Sequence, residues 1–185
     1  MLKRIIPFLM VMLVFVMVSC APATTPQNTY ATKMQPAIEP LAKFQDDFSS
    51  LESLLTEQLD PATGVTRLQL IDLYNVAMEY QISRDDYSNL GLMPLDALVA
   101  PAVKLSKDGK SILDILAEVT PVEDIQDDHQ VILDCLQKRI AFADELASSI
   151  KELSAIDMTK AGELVACEPF DSSLEKLTTF VNGNK

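Results

Sequence analysis

TPVEDIQDDHQVILDCLQKRIAFADELASSIKELSA, residues 120–155, is the stretch that decides how this chain is read. Thr120 offers an N-cap, Pro121 sits where a helix tolerates a missing N–H, and Glu123 completes a capping box. A stripe then recurs at intervals of three and four: Ile125, His129, Ile132, Leu136, Ile140, Ala143, Ala147 and Ile150. Cys135, Phe142, Leu146 and Leu153 widen it. That breadth exceeds a coiled-coil seam, so the predicted helix, running from about Thr120 to about Ala155, must face several partners.

The same spacing continues on both sides. Upstream, Leu41, Phe44, Phe48, Leu51 and Leu55 predict a helix that Asp60, Pro61 and Gly64 break. Thr66 and Gln69 open the next one, with Leu68, Ile71, Tyr74, Met78 and Ile82 as its stripe, widened by Leu70, Leu73, Ala77 and Tyr80. Ser83 with Asp86 starts a short helix that Gly91 stops. Pro94 suits a first helical position for the segment carrying Leu95, Leu98, Ala102 and Leu105. Pro101 is expected to kink or split that segment and Gly109 to end it, with a further short helix over Ile112–Val119. Downstream, Asp157 caps a short helix, Pro169 interrupts it, and Ser172 with Glu175 opens a last helix ending near Gly183. No alternating β-branched run competes. The prediction is an all-α fold: one up-and-down-like bundle of four main helices with shorter ones, over residues 41–185.

Composition narrows the function. The chain of 185 residues carries 15 Lys+Arg against 27 Asp+Glu, a net charge of −12, and only 5 Gly. An acidic surface of this kind does not bind nucleic acid. So few glycines leave no phosphate-cradling loop, and neither HExxH nor G-x-S-x-G occurs. The body is therefore read as non-enzymatic and without a cofactor. His129, the single histidine, lies among Glu123, Asp124, Asp127, Asp128 and Asp134. One imidazole is too few for a zinc site, so His129 is read as packed on the stripe and bonded to a carboxylate or water, with no metal assigned. Arg139 is expected to bridge to an acid on a neighbouring helix. Phe44, Phe48, Tyr74, Tyr80, Phe142 and Phe170 are read as core rather than as the lining of a ligand cavity.

The N-terminus carries an address. Met1-Leu2-Lys3-Arg4 is basic, Ile5 to Val18 is apolar but shorter than the ~20 residues of a permanent span, and Ser19-Cys20 follows. Met17-Val18-Ser19-Cys20 resembles the lipobox of bacterial lipoproteins, with an apolar residue three before the cysteine and a small residue just before it. The resemblance covers residues 1–20 only. It implies cleavage before Cys20, a diacylglycerol on that cysteine, and a membrane partner through the anchor. Ala21 carries no aspartate retention signal, which by the same resemblance implies the outer membrane of a two-membrane cell or the outer face of a single membrane. Loss of residues 1–19 leaves thirteen basic against 27 acidic residues, a net −14, so the body is expected to stand off anionic lipid.

Residues 20–40, with Pro22, Pro26, Pro36 and Pro40, are expected to form an extended, disordered tether that folding does not need. Cys135 and Cys167 are then the two thiols left after lipidation. An exported compartment and an even count favour a disulfide between them. A plain hairpin separates them by roughly 18 Å, so the bridge needs the 157–170 segment to be partly extended or to fold back along the long helix. The alternative is a pair of buried free cysteines. The functional expectation is a lipid-anchored envelope scaffold or interaction module for another envelope protein. The alternative is a tethered binder of a small apolar ligand or metal ion.

Overall fold

The computed structural model describes residues 25–60 and 62–184, with the side chains of residues 165 and 166 left out of account. The lipobox, Cys20 and the start of the expected tether lie outside the described residues.

The first helix begins far earlier than its apolar stripe suggested. α1 spans Pro26–Thr56. The Thr25 side chain accepts from the Asn28 N–H, and Pro26 occupies the first turn. Tyr30, Ala31, Met34 and Ala37 are buried and extend the stripe back from Leu41 at helical spacing. This corrects the tether and the domain boundary at residue 41: from Pro26 onward the segment belongs to the body. Pro36 and Pro40 sit inside α1. Tertiary burial of the neighbouring apolar residues outweighs the two hydrogen bonds those rings remove.

A short hairpin follows, β1 Gln58–Asp60 paired antiparallel with β2 Val65–Thr66. Gly64 takes the positive φ of its turn. α2 spans Arg67–Glu79 behind the anticipated Thr66–Gln69 capping box. α3 spans Arg84–Asn89 behind the Ser83–Asp86 box. A 3₁₀ turn over Met93–Leu98 leads into α4, Val99–Ala117. The split expected at Pro101 falls instead before Val99, which leaves Pro101 in the first turn of α4, where no donor is lost.

Gly109 does not end α4. It lies buried in mid-helix, and a β-carbon there would meet the Ile140 side chain at 2.6 Å and the Phe44 ring at 2.8 Å. The residue is small because three helices converge on it.

A 3₁₀ turn over Glu123–Ile125 precedes α5, Gln126–Glu152. The helix thus starts later than Thr120 and Pro121 suggested. Val119 and Ile125 are buried and Val122 packs against the core, which holds this stretch extended across the end of the bundle. Leu153, in the left-handed region, closes α5. α6 is Thr159–Glu163, a 3₁₀ turn covers Leu164–Cys167, and α7 spans Phe170–Gly183.

α1, α4, α5 and α7 form the bundle, each packed on the next around a ring. Tyr30 meets His129 and Gln45 meets Arg139, so α1 and α5 run parallel across the diagonal. Lys104 meets Asp47 and Ser106 meets Asp144, while Tyr30 meets Phe180 and Arg139 meets Phe170. α4 and α7 therefore run antiparallel to that pair, and the result is the expected up-and-down all-α bundle. α2, α3 and the Met93–Leu98 turn close the end where α1 finishes. Arg67 there donates to the Leu54 and Pro94 carbonyls, and the Tyr74 hydroxyl bonds the Ser149 and Ser154 carbonyls at 2.6 and 2.8 Å.

Candidate functional site

Three places gather the side chains that the sequence singled out. The first joins α1, α5 and α7 near the start of the bundle. The Tyr30 hydroxyl lies 2.8 Å from His129 Nδ1, and both residues are buried. The Tyr30 ring meets His129 and Phe180 edge-on. Burial pushes the His129 pKa down and holds the Tyr30 hydroxyl well above the usual tyrosine range. His129 thus bonds a phenol rather than the carboxylate or water expected. Its partner lies 99 residues away, on a segment read as tether, so nothing local to His129 pointed to it. Among the described residues no three His, Cys, Asp or Glu side chains converge as a metal site would require.

The second place surrounds Arg139. Its guanidinium lies 4.3 Å from the centre of the Phe48 ring and 4.2 Å from that of Phe170. It donates to Gln45 Oε1, and its Nε has no hydrogen-bond partner. The residue is 6% exposed, so the bridge to a surface acid is corrected: two aromatic faces hold the cation inside. Burial lowers its pKa.

One turn before Arg139 on α5, Cys135 meets Cys167. The turn over Leu164–Cys167 packs back onto α5, one of the two paths the sequence left open for the two to meet. Both are buried thiols, and the expected disulfide is not formed. Burial, and then hydrogen bonding with Cys167, pushes the Cys135 thiol up to about 12. Such a thiol is a poor nucleophile and packs as a small apolar residue.

The third place is the outer face of α2. Ile71, Tyr74, Ala77 and Met78 are buried, as the stripe predicted, but Leu73, Val76 and Tyr80 project from the opposite side. Val76 is 53% and Tyr80 78% exposed. Leu68 is also exposed on this helix. Leu68, read as part of the stripe, and Leu73 and Tyr80, read as widening it, are therefore surface residues. Of the six aromatic residues read as core, the other five are buried.

Comparison with protein-family models, with curated proteins and with solved structures finds no match to this chain. Among the described residues no helix is long and apolar enough to cross a membrane.

Proposed function

We propose that this chain is a lipid-anchored protein of the bacterial cell envelope, non-enzymatic, whose acidic bundle serves as a scaffold or interaction module for another envelope protein. The observation that carries the docking role is the exposed apolar face of α2. Leu73, Val76 and Tyr80 recur at helical spacing on a helix whose other side already fills the core. A second apolar face on so short an element calls for a partner rather than for folding.

Its position fits the anchor. Five residues separate Cys20 from Pro26, a reach of at most ~18 Å. α1 then rises over 31 residues, about 46 Å, and the α2 cap sits at its far end. An anchored Cys20 at one end thus leaves the apolar face at the other, away from the lipid. The net charge, −14 after loss of residues 1–19, keeps the body off anionic headgroups.

Two measurements test the reading. Metabolic labelling with a fatty acid is expected to mark the wild type and not Cys20→Ser; label kept by the serine variant removes the anchor. A photoreactive residue at Val76 is expected to capture a discrete envelope protein in intact cells, and one at exposed Asp114 is not. Equal capture from both positions, or capture that survives Leu73→Lys with Tyr80→Glu, removes the docking face.

A further inference from the structure

Six of the seven strongly exposed large apolar side chains among the described residues fall within residues 68–93, on the cap that α2, α3 and the Met93–Leu98 turn build. On α2 they keep a register. Leu73, Val76 and Tyr80 follow one another by three and then four residues, the spacing of the a, d and next a positions of a heptad. Gln69 takes the d position before them. From Leu73 to Tyr80 the seam covers two helical turns, about 10 Å.

Its two flanks differ. With Leu73 at position a, the g positions are Asp72 and Glu79, and both are exposed. Neither makes an ion pair among the described residues. The e positions are Leu70 and Ala77, which pack against the core. A partner laid on the seam therefore meets one open flank, and that flank is acidic. The cap has no spare cation to offset it. Arg67 and Arg84, the two basic residues between positions 67 and 98, hold Glu57 and Asp96, each at 2.6 Å.

Charges that flank an apolar seam choose the partner helix and its orientation. A second copy of α2 laid antiparallel would set g against g, so Asp72 and Glu79 would meet the same two acids and repel them. Laid parallel, it would set g against e, and the e positions are already covered by the core.

We propose that the α2 face, in the docking role given to it above, receives one amphipathic helix of another protein, with an apolar a/d seam and Lys or Arg at seven-residue intervals along the flank that meets Asp72 and Glu79. The seam supplies the buried area. The two acids, two turns apart, set the register, because a slip by one heptad loses one of the two charge contacts.

The test uses the full chain in phosphatidylcholine nanodiscs at about 0.15 M salt and two fluorescent peptides of three heptads. Both carry Leu at a and d; one has Lys and the other Glu at every e and g. Like charges at e and g keep either peptide from pairing with itself. By fluorescence anisotropy the Lys peptide is expected to bind about tenfold more tightly than the Glu peptide, since two contacts attract in one case and repel in the other. Empty nanodiscs give the background. The acidic body favours a basic peptide from a distance, so two double variants of equal charge are compared. Asp72→Asn with Glu79→Gln is expected to reduce the Lys preference at least about fivefold. Asp114→Asn with Glu118→Gln, at exposed positions elsewhere, is expected to leave it within about twofold. Leu73→Gln with Val76→Gln is expected to abolish binding of the Lys peptide.

Equal affinity for the two peptides overturns the proposal, and so does an equal loss of preference in both charge variants. Binding that survives the glutamine variant, or that is no stronger than to empty nanodiscs, overturns it as well. Capture of a second copy of the chain from a photoreactive Val76 does the same. Where the peptides fail but Val76 still captures an envelope protein, the basic helix is removed and the docking face stands; where both fail, the face itself is removed.

Discussion

The Tyr30 hydroxyl and His129 Nδ1 are hydrogen-bonded, 2.8 Å apart in the core, and protonation of His129 would put a charge on a ring shut off from solvent. Its folded pKa lies below the ordinary value because burial penalises the charged ring. On acidification the unfolded chain takes up this proton first, near pH ~6.5, and stability is lost as pH falls through that point toward the folded pKa. His129 is the single histidine. The carboxylates held low by their partners, Asp47 beside Lys104 and Glu145 beside Lys160, act only below about pH 4.5. Denaturant unfolding is therefore expected to show stability falling between pH ~6.5 and ~5, by at most about 1.4 kcal/mol per pH unit. His129→Gln is expected to be flat over that window. A wild type flat there would mean that His129 is not held neutral.

Gly109 carries the second prediction at this scale. Alanine favours a helix interior by about 1 kcal/mol, but its methyl group would lie 2.6 Å from Ile140 Cγ1, and overpacking costs about 1–3 kcal/mol. Gly109→Ala is expected to lower the denaturant midpoint. A rise would show that Ile140 and Phe44 yield freely. Sequence spacing placed Gly109 as a terminator because glycine commonly ends helices; its close approach to α1 and α5 is visible only in three dimensions.

Among the elements, α1 was the least legible. Four prolines and a polar composition outweighed the modest stripe of Tyr30, Met34 and Ala37, which has value only against His129 and Phe180. A chain beginning at Gln35 loses buried Tyr30, Ala31 and Met34, at ~1.5–3 kcal/mol for each large side chain. Its thermal midpoint is expected to fall by on the order of 10 °C relative to a chain beginning at Thr25. An unchanged midpoint would return this segment to the role of a tether.

α5 was the most legible element. Of its twelve stripe and widening positions, from Ile125 to Leu153, only Leu153 is not buried. The turn that brings Cys167 onto it leaves two buried thiols that form no disulfide. Without reductant, an alkylating reagent is expected to leave both unmodified in the native protein and to modify both in denaturant. No modification in denaturant would mean that the pair had oxidised.

At the scale of the whole molecule, charge decides the response to salt. Ion pairs such as Lys43–Asp47 and Lys110–Asp144 are substantially exposed, and each is worth about 0–1 kcal/mol. Against them stands a net charge of −12, whose self-repulsion opposes the compact state. Raising sodium chloride to about 0.3 M screens both, and the repulsion is the larger. The thermal midpoint is expected to rise by a few degrees; a fall would show that the pairs dominate.

Local chemistry in the chain was enough for the all-α class, the capping boxes at Thr66 and Ser83, and the core face of α5. Each depends on residues within a few positions of one another, where helical periodicity and side-chain capping act. Everything that depends on a distant partner was decided by tertiary packing. The fold recruits Pro26–Met34 into α1, buries Arg139 between Phe48 and Phe170, and sets His129 against Tyr30. It also leaves Val76 and Tyr80 outside a helix whose other side is buried. An apolar spacing marks which residues can lie on one face of a helix. Whether that face is covered depends on which other helices the bundle brings to it, and that is a property of the packed chain.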